Sequence, residues 1–406
     1  MQNQITLKEY DFLQTKESSL KNYISQKNFD ELERFVLENE ENAPYLKLRT
    51  KKGFGKILQA QNFCGVLQTK DGITIEILPK IKNIQSEEES KNILLKMLKT
   101  LKKSPFKHLN KAHLKRSKLP LFEIFITMFL EELAVLIRKG IRSDYVLKEE
   151  NIHFLKGKLK MHKQIRYNAI HKERFYVEYE EFVSDRAENR LLKSTLKYLY
   201  KKSNLNKNQQ KIREFLFVFD AIKESRDIQT DFLQCKSNRE MKDYEQLLIY
   251  AKTFLFGNSF SPYKGDEVAF ALLFDMNLLF ESYIGAYFKK RGFNVETQDK
   301  GKYLVEEPNH FALRPDFVIN KGDDAEIIAD TKYKNISTHS DIKQSDMYQL
   351  YAYGTKYKKT SQLYLIYPKN EEVNLERYSY IKDELHLEVL FFDLSCGFEQ
   401  NIGIKR

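Results

Sequence analysis

Cysteine is scarce in this sequence. Its three residues, Cys64, Cys235 and Cys396, lie far apart in a chain of 406 residues, and none belongs to a CxxC pair. This distribution excludes a disulfide-stapled scaffold and a zinc ribbon, because both need clustered cysteines. It is typical of a protein that works in a reducing compartment, and we therefore predict a cytoplasmic location.

Segments that would direct the chain to a membrane are also lacking. The longest apolar run, 119–137, is interrupted by Glu123, Glu131 and Glu132, which favours a packed helix over a membrane span. The first residues, MQNQITLKEYDFL, do not show the basic-then-apolar order of a signal peptide. We expect no membrane partner for this protein.

Several familiar catalytic motifs are missing as well. The Gly–Lys pairs at 55–56, 157–158 and 301–302 have no glycine five positions upstream, so there is no phosphate-binding GxxxxGK[ST] loop. The sequence contains no HExxH motif, and its eight histidines are scattered. We expect that this chain binds no nucleotide itself, and that any motor it needs is another chain.

Basic residues outnumber acidic ones. The sequence has 68 Lys and Arg against 57 Asp and Glu, a net charge of +11 and a pI near 9.1. Such a surplus attracts polyanions such as nucleic acid, but a lysine-rich proteome would produce it too, and charge alone leaves both explanations open. With 42% hydrophobic and 13% aromatic residues the chain can bury real cores, and its length predicts two or three domains.

The hydrophobic pattern changes along the chain and predicts an α+β multidomain protein. Short alternating runs favour strands over 1–85 and 145–185, while three- and four-residue spacing favours helices over 86–140 and 186–256. A basic segment, 96–120, is either the solvated face of a helix or a patch for DNA or a partner. The expected domains are a β-rich N-terminal domain at 1–185, a helical connecting region at 186–260 that ends in the linker 257–267, and an α/β domain with a mixed sheet at 261–406.

The stretch LRPDFVINKGDDAEIIADTKYK, residues 313–334, has the pattern of a β-hairpin. Apolar runs on both arms flank a Lys-Gly-Asp-Asp turn, yet each arm also carries an aspartate, Asp316 and Asp330. If the arms pair symmetrically about Asp323, the two aspartates face each other with Cβ atoms roughly 5 Å apart. Lys332 lies two positions beyond Asp330 and is therefore expected on the same face.

Two carboxylates this close destabilise a sheet unless something neutralises them. A divalent cation can do so, and Mg²⁺ accepts one or two carboxylates together with substrate phosphate and water. Lys332 would then lie beside the metal, where it would orient a water nucleophile or stabilise charge on a phosphoryl transition state. A glycosidase fits less well, because its carboxylate mechanism does not require the lysine.

The blocks RPDF and DTKYK resemble the signature of PD-(D/E)xK nucleases. This resemblance implies a restriction-endonuclease-like fold for 261–406, with Asp316, Asp330 and Lys332 as catalytic residues. It also implies that Asp316 and Asp330 bind Mg²⁺, for which Mn²⁺ would substitute.

Two helices beside the hairpin extend the resemblance. Such nucleases carry an acid on the preceding helix, which implies that Glu281 in MNLLFESYI is a further catalytic and metal-binding residue. In the following helix, DMYQLYAYG resembles a QxxxY element and implies that Gln349 is catalytic, orienting Lys332 or the DNA backbone. Tyr353 lies four positions on and shares that helix face. In the alternative, Glu281 is an ordinary surface acid and Tyr353 a core residue.

Blocks over nearly the whole length are similar to the McrC family. They include GVLQTKDGITIEILPKI near the start, RFYVEYEEFVSDRAENRLLKSTL in the middle, and MNLLFESYI, RPDFVI and YQLYAYG around the hairpin. Residues 200–245 match no pattern of that family.

This family resemblance implies the nuclease subunit of a McrBC-type, modification-dependent restriction system. A hexameric AAA+ partner, McrB-like, would hydrolyse GTP, translocate DNA and recognise the modified base. The N-terminal domain of the McrC-like chain would dock in that ring and stimulate it. DNA and the AAA+ GTPase are therefore the expected partners, and dimerisation of two complexes to cut both strands is left open.

Two other interpretations are left open by the residues. A stand-alone PD-(D/E)xK nuclease of another defence or repair system would cut DNA without a partner or GTP. A non-catalytic basic adaptor that binds nucleic acid would have an acid pair that binds neither Mg²⁺ nor Mn²⁺.

Overall fold

The computed structural model describes residues 4–16, 22–38, 44–81, 84, 86–101, 106, 118–235, 239–256, 270–305, 310–321, 326–357, 359–360, 362–369, 378–379 and 385–398. Three features named above lie wholly or largely outside these residues: the linker 257–267, the hairpin turn at 322–324 and most of the basic segment 96–120.

The N-terminal part is rich in strands, as its alternating pattern predicted. Its elements are β1 (Gln4–Lys8), β2 (Phe12–Leu13), α1 (Gln26–Glu38), β3 (Leu46–Lys51), β4 (Gly55–Ala60), β5 (Phe63–Gln68), β6 (Thr74–Leu78) and α2 (Glu87–Thr100). Helix α1 buries Phe29, Leu32 and Phe35, because three-residue spacing places them on one face. Strands β2, β4 and β3 form an antiparallel sheet.

A second N-terminal sheet is completed by a strand from much later in the chain. Its order is β1-β6-β5-β10, where β10 spans Phe270–Asp275 and pairs antiparallel with β5. Gly65 in β5 has φ of +146°, and a Cβ there would lie 2.1 Å from the carbonyl oxygen of Leu272. Glycine therefore permits the close approach of β10. Residues 270–275 lie within the domain expected at 261–406 but pair with the N-terminal sheet, a partner that a buried apolar strand does not reveal in its sequence.

The middle of the chain is mostly helical. Its elements are α3 (Leu121–Lys139), β7 (Asp144–Ile152), β8 (Lys158–Leu159), α4 (Met161–Asn168), β9 (Phe175–Val183), α5 (Ala187–Lys202), α6 (Asn206–Val218), α7 (Ile228–Gln234) and α8 (Lys242–Phe256). Helix α3 is the packed helix predicted from the long apolar run. Its Glu123 is buried and accepts hydrogen bonds from the backbone N–H groups of Asn204 (2.6 Å) and Leu205 (3.1 Å), where α6 begins.

Strands β7, β8 and β9 form a separate three-stranded antiparallel sheet, called the ribbon below. β7 and β9 pair over nine residues each, from Asp144 opposite Val183 to Ile152 opposite Phe175. β8 pairs with the other edge of β9.

The C-terminal part is built on the mixed sheet that the sequence predicted. Its elements are α9 (Met276–Lys290), β11 (Val295–Thr297), β12 (Lys302–Val305), β13 (His310–Leu313), β14 (Phe317–Ile319), β15 (Ile327–Thr331), α10 (Gln344–Lys356), β16 (Gln362–Pro368), β17 (Tyr378–Ser379) and β18 (His386–Phe392). The sheet order is β11-β14-β15-β16-β18-β17. β15, β16 and β18 are parallel, and the other pairs are antiparallel.

One helix packs on each face of this sheet. Gly285 of α9 lies over Phe317, and a Cβ on Gly285 would be 3.0 Å from that ring. Tyr353 of α10 packs in a core with Val318 and Ile328. Neighbouring residues of a strand point to opposite faces of the sheet. Since Phe317 contacts α9 and Val318 packs with α10, the two helices lie on opposite sides of the sheet.

Contacts between Cα atoms divide the chain into two compact units. One unit combines Met1–Leu121 with Asn258–Arg406, and the other is Phe122–Gly257. The three domains expected at 1–185, 186–260 and 261–406 run along the chain, whereas the first unit joins its two ends. Among the helices of the described residues, none has the length and apolar character required to cross a membrane.

Candidate active site

The two aspartates lie on the paired arms of the predicted hairpin. Phe317 pairs with Ala329 and Ile319 with Ile327, which confirms the register symmetric about residue 323. If this register is extended by one residue, Asp316, just before β14, lies opposite Asp330 in β15. Asp330 is only 2% exposed. We call β14, β15 and the flanking Asp316 and Lys332 the aspartate hairpin.

Hydrogen bonds fix the carboxylate of Asp316 on both oxygens. Thr331 donates two bonds to Oδ2, from its backbone N–H (2.8 Å) and from its hydroxyl (2.6 Å). Gln298 donates a third bond from its amide nitrogen Nε2 to Oδ1 (3.0 Å). Three donors hold a carboxylate in one orientation more firmly than one could, so Asp316 is a pre-oriented group.

Lys332 lies between the acid pair and helix α10. Its Nζ is 2.5 Å from Oδ2 of Asp330 and donates a hydrogen bond to Oε1 of Gln349 (3.1 Å). Gln349 in turn donates to the hydroxyl of Tyr353 (2.8 Å), which donates to the carbonyl of Arg314 (3.2 Å). Gln349 therefore contacts Lys332, as the QxxxY resemblance implied, and Tyr353 bonds Gln349 on the same helix face and is also part of the core.

The electrostatics of the acid pair follow from burial and like charge. Burial raises the pKa of Asp330 to about 7, with Asp316 adding to the rise and Lys332 opposing it. Burial also raises the pKa of Asp316, against the bonds from Thr331. Burial alone would lower the pKa of Lys332, but Asp330 and Asp316 together raise it. Near neutral pH the lysine is charged, and the acid pair carries less than two negative charges.

Glu281 on α9 is brought to the acid pair through another residue. Nε2 of Gln298 donates to Oε1 of Glu281 (2.8 Å) as well as to Oδ1 of Asp316 (3.0 Å). The sequence analysis missed Gln298, because it lies just after β11 in no recognised motif. The structure therefore places Glu281 next to Asp316 by way of an amide bridge, and its role as a metal ligand stays a prediction.

The donor set of the hairpin suits a hard divalent cation held by two carboxylates. Oδ2 of Asp330 is buried, and no described residue donates an aligned hydrogen bond to it, although Lys332 forms an ion pair with it. Oxygen ligands of this kind are those that Mg²⁺ prefers. Among the described residues, no group of three His, Cys, Asp or Glu side chains is placed to share one metal ion. Water and substrate would have to supply the remaining ligands.

A buried link joins the aspartate hairpin to the N-terminal sheet. The hydroxyl of Tyr333, the residue after Lys332, donates to Oε2 of Glu9 (2.8 Å), which also accepts from the backbone N–H of Lys80 (3.0 Å). Burial raises the pKa of Glu9 to about 7, against these two bonds. The ring of Tyr333 packs on Phe280, with ring centroids 5.6 Å apart. Sequence separation concealed this contact, since its partners are 324 positions apart.

Comparison with known proteins places this chain in a family. The sequence model described as "McrBC 5-methylcytosine restriction system component" matches residues 58–368. No curated protein sequence matches the chain.

Two solved structures from Thermococcus gammatolerans share the fold. One is a refined half-complex from a tetradecameric assembly of McrB AAA+ hexamers with bound McrC, with a TM-score of 0.70 and 20% identity over 98% of this chain and 97% of that one. The other is the McrBC complex solved by cryo-electron microscopy, with a TM-score of 0.52 and 20% identity over 74% and 90%. The family match covers most of the chain and agrees with the resemblance seen in its sequence blocks. The chain belongs to the family of McrBC 5-methylcytosine restriction system components.

Proposed function

We propose that this chain is a McrC-like endonuclease subunit, which hydrolyses DNA phosphodiester bonds with Mg²⁺ at the aspartate hairpin and works in the cytoplasm with an AAA+ GTPase partner. The observation that carries the proposal is the buried acid pair Asp316 and Asp330 with Lys332 against it. As structural groups, two carboxylates with raised pKa values destabilise the fold, and a cation relieves that cost. The PD-(D/E)xK order of the three residues supports the same chemistry.

The residues divide the work of hydrolysis between them. Asp316 and Asp330 would hold Mg²⁺, which supplies a Lewis acid for the phosphodiester and lowers the pKa of a bound water. In the reaction, water oxygen bonds to phosphorus and one bridging P–O bond breaks, leaving a phosphate end and a hydroxyl end. Lys332, held by Asp330 and Gln349, presents a fixed positive charge to the negative charge that develops. The positive net charge of the chain is compatible with a polyanionic substrate such as DNA.

The experiment that tests the nuclease assignment is Asp330→Ala in the reconstituted complex with its AAA+ partner, GTP, Mg²⁺ and modified DNA. We expect loss of cleavage with partner binding retained, because Asp330 lies in the site and not on an exposed surface. Asp231→Ala on α7 is a matched control, since Asp231 is also buried and pairs with Arg190 at 2.6 Å. Cleavage retained by Asp330→Ala would refute the assignment. Cleavage by the purified wild-type chain without partner or GTP would instead support a stand-alone nuclease.

The ribbon supplies the surface that we propose docks the AAA+ partner. Tyr145, Leu147 and Phe182 lie on one of its faces, because Tyr145 pairs with Phe182 and Leu147 is two positions on. They are 65%, 60% and 62% exposed. An exposed apolar patch of this kind marks a protein interface. The ribbon lies within the N-terminal part, 1–185, that the sequence analysis expected to dock.

A further inference from the structure

Gln298 occupies an unusual place between two carboxylates. Its Nε2 donates one hydrogen bond to Glu281 (2.8 Å) and one to Asp316 (3.0 Å). A side-chain amide has two N–H donors on that nitrogen, so both are used. Its backbone N–H also donates to the carbonyl of Asp316 (3.0 Å). One residue therefore fixes both the side chain and the main chain of Asp316.

The bridge determines which part of Asp316 is open to a ligand. A carboxylate has about four lone-pair sites, two on each oxygen. Thr331 occupies both sites on Oδ2, and Gln298 occupies one on Oδ1. The remaining site is on Oδ1, beside the amide. Any cation at Asp316 would thus bind through the oxygen whose direction Gln298 sets.

The backbone of Gln298 is a second, independent observation. Its φ is +53°, a left-handed conformation that is uncommon for glutamine. Strained residues of this kind persist where the surroundings hold them, and they concentrate at functional sites. Gln298 and Glu281 also line a cavity of about 440 Å³ that includes Ser282, Lys289 and Phe317. The bridge is therefore held in a strained form at the edge of an open space.

From this geometry we infer that Gln298 is a positioning residue for the proposed metal site: anchored on Glu281, it fixes the Oδ1 atom of Asp316 that binds the cation. Glu281 acts through Gln298, as the acceptor that orients the amide. The inference rests on the proposed function, because it concerns the cation that the acid pair would hold. Groups that orient a metal ligand typically contribute 10- to 100-fold to metal affinity.

The test is Gln298→Met in the full-length chain, which keeps the length of the side chain and removes both donors. Mn²⁺ binding to the metal-free protein is measured by isothermal titration calorimetry, together with the Mn²⁺ concentration that half-saturates DNA cleavage by the complex. We expect the Mn²⁺ affinity to fall, and the half-saturating Mn²⁺ concentration to rise, each by about 10- to 100-fold. Gln210→Met, an exposed glutamine on α6, is the matched control and should leave both unchanged.

A second pair of variants, at Glu281, shows whether this residue orients Gln298 or binds the cation directly. This test does not require Gln298→Met to fold. Glu281→Gln still offers an oxygen to the amide of Gln298, and should keep Mn²⁺ affinity within about threefold, whereas Glu281→Ala should weaken it by about tenfold or more. Equal, severe losses in both variants would overturn the inference, as would wild-type Mn²⁺ affinity in Gln298→Met. A wild-type chain that binds no Mn²⁺ would refute the proposed function itself, and the inference with it.

Discussion

The aspartate hairpin and the ribbon are both small antiparallel structures, yet they depart from ordinary burial in opposite directions. The hairpin encloses charge: Asp330 is 2% exposed, and Lys332 lies 2.5 Å from it. The ribbon exposes apolar groups, with Leu147 and Phe182 at 60% and 62%. Charged groups are rarely buried, and large apolar groups rarely cluster in solvent.

The difference shows how each element is stabilised. The hairpin lies inside a six-stranded sheet, and three hydrogen bonds fix Asp316 alone. The ribbon has three strands and surface ion pairs such as Lys148–Glu181, which contribute little. A rigid site suits chemistry, because reacting groups must be held in place. An exposed apolar ribbon suits docking, because a partner can bury what the chain leaves open.

Lys332→Met should have the largest effect. We expect DNA cleavage by the complex to fall by about 10²- to 10³-fold, because a fixed charge beside the reacting phosphate is lost. Lys334→Met is the matched control, since both lysine side chains are 27% exposed and each pairs with an aspartate. Single-turnover cleavage with saturating Mg²⁺ measures the effect. Equal losses in the two variants would show that the hairpin needs charge in general and not Lys332.

Leu147→Asp tests the ribbon. We expect the affinity for the AAA+ partner to fall by about 10- to 100-fold, because a charge would enter an apolar interface, a loss of roughly 2 kcal/mol. Mass photometry of the complex and stimulation of GTP hydrolysis measure it. The melting temperature should not change, since the side chain is exposed. Leu233→Asp on α7, at 88% exposure, is the control. If Leu147→Asp bound the partner as tightly as the wild-type chain, this face of the ribbon would not be the docking surface.

The metal-free protein should lose stability as pH rises. The pKa values of Asp330 and Glu9 are each raised to about 7 by burial, so these acids hold protons in the folded state that the unfolded state has already released. Their contribution to stability is therefore full below about pH 4, near the unfolded pKa values, and is lost as pH rises to the folded pKa values near 7. Between about pH 4 and 7 each acid should lower the free energy of unfolding by roughly 3 to 4 kcal/mol, with little further change above about pH 7.5.

Asp330→Asn and Glu9→Gln should each flatten this pH dependence, as measured by thermal melting in a chelator. Added Mg²⁺ should remove the pH dependence of stability that is due to Asp330 and should not change the pH dependence that is due to Glu9. If the melting temperature of the wild-type chain fell no more steeply between about pH 4.5 and 7 than that of the two variants, the burial argument would be contradicted. Substitutions on the ribbon should leave the curve unchanged, because lysine partners lower the pKa values of its Glu149 and Glu181 instead of burial raising them.

The sequence was informative where contacts are local and periodic. A hairpin fixes its register by alternation and symmetry, so the pairing of the arms that carry Asp316 and Asp330 could be predicted. Helix spacing likewise brought Gln349 and Tyr353 to one face. Contacts made across the fold were not predictable. Gln298 reaches Asp316 because its backbone is left-handed, and no sequence pattern predicts that conformation. The sequence of strand β10 likewise does not indicate which sheet the strand joins.

Tyr333→Phe should have the smallest effect, because it removes a single hydrogen bond. The variant keeps the ring against Phe280 but removes the bond to Glu9, leaving Lys80 as donor to that carboxylate. We expect a loss of about 1 kcal/mol in unfolding free energy, larger at pH 8 than at pH 6 because the bond is stronger to ionised Glu9.

The same variant should slow cleavage by about two- to fivefold, because Tyr333 adjoins Lys332 and a loosened neighbour misplaces a catalytic group. A double-mutant cycle with Glu9→Gln isolates the pair, and its coupling should be absent for Leu147→Asp, since that residue contacts neither partner. If Tyr333→Phe left both stability and cleavage unchanged, the N-terminal sheet would not help to hold the aspartate hairpin. A measurable coupling would mean that the hairpin depends on distant parts of the chain for its order, whereas we propose that another protein covers the apolar face of the ribbon.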